Sequence, residues 1–356
     1  MIKYSNKMSI NNVTPFIQSK IGRNLHLLKE NPIGQMKALI ESYFIQNHQF
    51  TVYDNLSPIV TTVQNFDNLL TPLEHVSRSP TDTYYISETH ILRSHMTAHQ
   101  TDLIQSGVTS FLMAGDVYRR DEVDATHYPV FHQIDGVKLW NSIVDSSVIM
   151  EDLKQHLGGM IQEIFGNVKM RWIDAYFPFT EPSLELEILF EGSWLEVLGC
   201  GQIRPEIIAN CGKNKTTGWA FGIGLERLAM VLYDIPDIRL FWSDDRRFLD
   251  QFTSGKPVKF KPFSKYPPCY KDIAFILPES GFHENDINSI IREVAGDIVE
   301  SVERIDAFTN PKTGKTSNCY RINYRHMSRS LTNAEVNILQ EQVKVDIVSK
   351  LHVVLK

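Results

Sequence analysis

Between Ser254 and Pro268 the chain carries Gly255, Pro257, Pro262, Pro267 and Pro268. Proline fixes φ and removes a backbone donor, so neither a long helix nor a central strand crosses such a stretch. The 356 residues therefore divide into two units, in line with about 100–200 residues per domain. Beyond the break the pattern is compact. Tyr270–Leu277 is strand-like and Asn285–Ala295 helical. Val299–Phe308 and Thr316–His326 are strand-like around a Pro/Gly turn at 310–315. Leu331–Val348 is helical and Leu351–Leu355 ends the chain as a short strand. The order βαββαβ is the ferredoxin-like split arrangement.

The larger part before the break lacks regular βαβ alternation. Asn31-Pro32 reads as a helix start, with Asn capping free N–H groups and Pro lacking one. Phe50–Tyr53 is strand-like, a helix is expected from about Thr97 to Gly107, and 109–140 reads as two strands around a charged loop. A helix over 148–165 has a weak point at Gly158-Gly159, and short strands and turns are expected from 170 to 223. Gly222 and Gly224 then open a helix, Leu225–Tyr233. The expectation is an α+β fold: mostly antiparallel sheet with flanking helices.

Charge is unevenly placed. The net charge is -6. Residues 1–29 hold five basic side chains and no acid, while 256–356 hold 15 basic and 12 acidic. An acidic body with basic ends suggests a polyanion-binding appendage. The acid-free start resembles an organelle transit segment. No apolar run approaches the ~20 residues of a membrane-spanning helix. The four cysteines, Cys200, Cys211, Cys269 and Cys319, show no C-x-x-C pairing and read as free thiols.

Two segments carry polar chemistry. GDVYRRDEVDATHYPVFHQIDG (115–136) combines paired arginines, acids and histidines with interleaved aromatics. A guanidinium can fork onto phosphate or carboxylate oxygens, and an aromatic nearby can stack on a purine. GWAFGIGLERLAM (218–230) places Arg227 in the first turn of a helix, where the dipole favours a bound phosphate. Neither segment is a P-loop or a dinucleotide fingerprint.

Together they resemble motifs 2 and 3 of class II aminoacyl-tRNA synthetases. The finer similarity is to phenylalanyl-tRNA synthetases of the single-chain mitochondrial type. It is carried by NFDNLL (65–70), LRSHMTAHQ (92–100), YFPFTEPS (176–183), WLEVLGCG (194–201) and YDIPDIRLFW (233–242), besides the two segments above. SKYPP (264–268) and CYRINYRHMSRSL (319–331) resemble that family's ferredoxin-fold anticodon-binding domain. The implied organisation is a transit-like segment at 1–19, a catalytic domain at 20–254, a linker at 255–263 and the anticodon-binding domain at 264–356.

The resemblance implies activation of L-phenylalanine by ATP, with Mg²⁺, and transfer to tRNA(Phe). Arg119 would hold the α-phosphate and Arg227 the γ-phosphate; Phe131 would stack on adenine. His127 and His132 would lie at the nucleotide, and Glu196 would orient ATP or a metal. Phenylalanine would meet Phe177 and Phe179, with Ala220 and Phe221 at the floor. Its amino group would meet Gln133, Asp135 and the segment Thr97, Ala98, His99 and Gln100, with His95 nearby. Thr97 and Asp135 depart from the family's usual Ser and Glu. Arg321, Arg325 and Arg329, alternating with Tyr320, Tyr324 and His326, would contact tRNA. A monomer in the mitochondrial matrix is implied, with a plastid or the cytoplasm as alternatives. A non-catalytic paralogue is disfavoured by the presence of both arginines. A biotin or lipoate ligase is disfavoured by the FPF loop and the basic appendage.

Overall fold

The computed structural model describes residues 11–255, 257–262, 266–279 and 281–356. Much of the transit-like segment (1–10), and residues 263–265 of the linker and SKYPP stretch, lie outside the described residues.

The helices are α1 (Pro15–Gln18), α2 (Pro32–His48), α3 (Thr62–Asn65), α4 (Gln100–Gln105), α5 (Ser146–Phe165), α6 (Pro205–Asn210), α7 (Leu225–Tyr233), α8 (Arg246–Leu249), α9 (Glu284–Ala295) and α10 (Asn333–Leu351). The strands are β1 (Thr51–Tyr53), β2 (Ile59–Thr61), β3 (His90–Leu92), β4 (Ser110–Tyr118), β5 (Val130–Trp140), β6 (Lys169–Phe177), β7 (Thr180–Phe190), β8 (Ser193–Ile203), β9 (Thr217–Gly224), β10 (Cys269–Ile276), β11 (Val299–Thr309), β12 (Thr316–Tyr324) and β13 (Val354–Leu355).

Local signals explain several boundaries. Asn31 Oδ1 accepts from the Ile33 N–H and Pro32 occupies the first turn of α2. At the other end, Gln49 adopts a left-handed conformation that stops the helix. The expected helix after Thr97 begins instead as a 3₁₀ turn over Met96–His99 that runs into α4. The Gly158-Gly159 pair does not interrupt α5. A Cβ at Gly159 would lie 2.3 Å from the Tyr43 hydroxyl, so this glycine lets α2 and α5 pack closely. The span 170–223 is not built of short strands, since β7 and β8 run 11 residues each.

A seven-stranded sheet has the order β1-β4-β5-β9-β8-β7-β6, antiparallel except for the β1–β4 pair. Its strands alternate between two faces. Leu112, Ile134, Trp219, Phe221 and Ile223 point into the main core with α2, α5 and α7. Phe111, Val137 and Ala220 belong to a separate cluster on the opposite face, beside Phe131 and Phe179. That second face carries the cavity described below.

The C-terminal unit is a four-stranded antiparallel sheet, β11-β12-β10-β13, with a core of its own against α9 and α10. This is the ferredoxin-like arrangement. It touches the larger unit through the β4–β5 loop: Arg120 pairs with Asp286 at 2.9 Å and Arg292 donates to the Glu122 carbonyl at 2.8 Å. Lys20 pairs with Asp297, while Arg239 donates to the Asp297 and Val299 carbonyls.

Candidate active site

A cavity of about 710 Å³ opens on the second face of the large sheet. Side-chain alternation along β5 decides what enters it. Phe131, Gln133 and Asp135 line it, whereas His132 between them is fully buried on the helical side. Arg119 follows the end of β4 and lines the cavity. Its Nε donates to the Ser94 carbonyl at 2.8 Å, and its guanidinium lies 5.2 Å over the Phe131 ring. Burial lowers its pKa. Arg227 reaches the cavity from the first turn of α7. It pairs with the Glu196 carboxylate at 3.3 Å, and both remain about half exposed. His127 lies in the β4–β5 loop, its Nδ1 2.7 Å from Asp124, whose hydrogen bond raises the imidazole's pKa.

The apolar end is built by glycine as much as by aromatics. The Phe177 and Phe179 rings are parallel, 9° apart, with centroids at 5.9 Å. A Cβ at Gly199 would stand 2.7 Å from the Phe177 ring, so β8 leaves room for that ring. Ala220 and Phe221 both line the cavity, and the Phe221 ring stacks on Phe44 at 5.3 Å in the helical layer.

Between the two ends sits a buried polar group. Thr97 Oγ1 donates to Asp135 Oδ2 at 2.6 Å, whereas Oδ1 has no hydrogen-bond partner. Burial pushes the Asp135 carboxyl up to about 7, against the opposing Thr97 bond and Arg119 charge. A buried carboxylate with a spare oxygen is costly unless a donor or cation arrives. His95 lines the same region; burial first, and then Arg119, pushes it down to about 3, so it is neutral near pH 7. Gln133 Oε1 accepts from the Met96 N–H at 3.3 Å.

Four expected contacts are not among the cavity's lining. His132 faces away, as the period of two requires. Ala98 and His99, within the 3₁₀ turn, and Gln100, at the start of α4, are buried, with His99 held by Arg93 at 3.1 Å. In the C-terminal unit, Tyr320 and Tyr324 are core residues, because they point inward on β12 while Arg321 points outward. They offer no stacking face. Arg321 forks onto Asp272 at 2.8 Å, Arg325 pairs with Glu300 and Arg329 with Glu335. Tyr270, which the sequence reading overlooked, is 60% exposed with the Arg321 guanidinium 4.5 Å over its ring. Its position beside Asp272 on alternate residues of a strand was the available signal.

Among the described residues, one group of three could supply metal ligands: Glu122, Asp124 and His127 in the β4–β5 loop, with ligand atoms within 4.8 Å of one another. Glu196 is not part of it. It lies near other carboxylates, however: Glu185 is raised by burial and then by Glu196 and Glu187. Such oxygen donors suit a hard divalent cation.

Residues 17–252 match the family model of the class II tRNA synthetase core domain (F), and 264–356 match the ferredoxin-fold anticodon binding domain. A chloroplastic/mitochondrial phenylalanine–tRNA ligase of Arabidopsis thaliana is 53% identical, over 97% of this chain and 83% of its own length. The chain belongs to the single-chain phenylalanine–tRNA ligases. The mitochondrial ligase of Mus musculus is 46% identical over 94% of this chain and 83% of its own length. That of Saccharomyces cerevisiae is 41% identical over 100% and 94%. Membership in this family accounts for both units: a class II core bearing the cavity and an appended ferredoxin-like fold.

Proposed function

We propose that this phenylalanine–tRNA ligase forms phenylalanyl-adenylate in the cavity shared by Arg119 and Arg227. The observation that carries the reading is the cavity's division: two arginines at one end, parallel phenylalanine rings at the other, and the unpartnered Asp135 oxygen between. L-Phenylalanine would lie with its ring against Phe177 and Phe179 above Ala220, and its ammonium at Asp135 and Gln133. Aromatic contact supplies affinity, and the buried carboxylate supplies orientation.

The substrate carboxylate attacks the α-phosphorus of ATP, the bond to the β-phosphate oxygen breaks, and pyrophosphate leaves. No protein nucleophile is needed, so positioning and charge carry the rate. Arg119 would hold the α-phosphate while Phe131 packs on adenine. Arg227 would exchange Glu196 for the γ-phosphate. Mg²⁺, held through Glu196 and the triphosphate, would add positive charge as pyrophosphate departs. The terminal 2′-OH of tRNA(Phe) would then attack the adenylate carbonyl and release AMP. The outward face of the C-terminal sheet, with Tyr270 and Arg321, would meet the anticodon stem-loop, together with Arg325 and Arg329, which follow the end of β12.

The relatives named above support an organellar location, and we place the protein in the mitochondrial matrix as a monomer. Among the described residues no helix is long and apolar enough to cross a membrane. The deciding test is Arg119→Ala in phenylalanine-dependent ATP–pyrophosphate exchange. Exchange at the wild-type rate would refute the assignment.

A further inference from the structure

His132 belongs to the densest functional segment yet faces away from the cavity. Its surroundings are specific. Both Glu226 carboxylate oxygens accept from the His132 backbone N–H, at 3.0 and 2.8 Å. The ring Nδ1 stands 2.7 Å from Glu226 Oε1. A carboxylate offers only lone pairs, so Nδ1 carries the hydrogen. The ring is held between His26, at 5.4 Å, and Trp242, at 5.6 Å. His132 is fully buried and Glu226 nearly so.

These two residues flank proposed substrate contacts. Phe131 and Gln133 are the neighbours of His132 on β5, and Arg227 follows Glu226 in the first turn of α7. The N-cap of α7 is Gly224, which has no side chain to tie the helix end. Glu226 does so instead, beside the positive end of the helix dipole. Burying a carboxylate is costly, and two donors from a single residue, the backbone N–H shared between both oxygens and the ring Nδ1–H, offset that cost while fixing one geometry.

We propose that His132 and Glu226 form a brace that locks the start of α7 to β5 and so sets Arg227 in register with Phe131 for ATP. They are positioning residues: His132 is not part of the cavity's lining, and Glu226, which borders the cavity, has both carboxylate oxygens bonded to His132. The inference rests on the reading of the cavity given above. Displacing a positioned group by about 1 Å can cost on the order of 100-fold in rate. The amino-acid end is built on Asp135, Phe177 and Phe179, with Gln133, the neighbour of His132, held separately through its Oε1 by the Met96 N–H.

The test compares His132→Ala, His132→Asn and Glu226→Gln in phenylalanine-dependent ATP–pyrophosphate exchange, with equilibrium phenylalanine binding measured without ATP. His132→Ala should raise the KM for ATP or lower kcat by at least about tenfold, with phenylalanine affinity within about twofold. His132→Asn places an amide N–H near the position of Nδ1 and should recover most of the loss. Should His132→Ala fail to fold, Glu226→Gln must show the same ATP-selective loss while His132→Asn stays near wild type. Wild-type ATP kinetics in Glu226→Gln would overturn the brace. So would equal losses in ATP use and phenylalanine binding, or no recovery in His132→Asn. If the wild-type protein shows no phenylalanine-dependent exchange, the cavity reading itself falls, and the brace with it.

Discussion

Asp135, at the proposed amino-acid site, should make phenylalanine binding pH-sensitive in a calculable way. Its carboxyl is fully buried, one oxygen is unpartnered, and burial brings it up to about 7 in the free protein. In the proposed site the phenylalanine ammonium binds the ionised form. With a pKa of about 7, roughly nine-tenths of the sites are ionised at pH 8 and one-tenth at pH 6, so the apparent Kd should rise about tenfold between them. His95, pushed down to about 3, and His99, pushed down to about 4, stay neutral across this window. Phenylalanine binding would be measured calorimetrically without ATP from pH 6 to 8, for wild type and Asp135→Asn. The variant should bind about 10–100-fold more weakly at pH 8, through loss of a charge-assisted bond of about 1.5–3 kcal/mol, and its affinity should not vary with pH. Stability gives a second readout. In the free protein the folded state keeps this proton from about pH 4 to about 7 while the unfolded chain has lost it. Stability from this group therefore falls as pH rises through that window, by about 4 kcal/mol at 1.36 kcal/mol per unit. Asp135→Asn should remove that fall. A wild-type Kd constant from pH 6 to 8, or an equal slope in the variant, would refute the reasoning.

Arg119→Ala should lower exchange by at least about 100-fold, because the charge proposed to sit at the α-phosphate is lost, while circular dichroism stays native. Ala220→Gly should admit para-substituted phenylalanines, read as increased activation of 4-chlorophenylalanine over phenylalanine. Gly199→Ala puts a methyl 2.7 Å from the Phe177 ring and should raise the KM for phenylalanine more than that for ATP. Tyr270→Ala combined with Arg325→Ala should weaken tRNA charging through its KM and leave exchange intact, which parallel assays on one preparation would check.

The two-unit division and the ferredoxin-like order were legible because proline, glycine and strand spacing are local signals. The helix Leu225–Tyr233 and the strand pair around the β4–β5 loop were also readable, for the same reason. The continuity of α5 through Gly158-Gly159 was not, since it depends on Tyr43 packing from another helix. In the site, Phe131, Gln133 and Asp135 share the cavity face. The same alternation should have set His132 aside, and likewise Tyr320 and Tyr324 from Arg321. The Asp135–Thr97 bond and the Glu226–His132 brace join residues 38 and 94 positions apart. Such pairings arise from tertiary packing and have no local signature.

The most direct measurement is ATP–pyrophosphate exchange by the purified protein with each of the twenty amino acids, followed by charging of tRNA(Phe). The account predicts strong exchange with phenylalanine, weak exchange with tyrosine, and charging with phenylalanine. Exchange that does not depend on phenylalanine, or a marked preference for another amino acid, would contradict it.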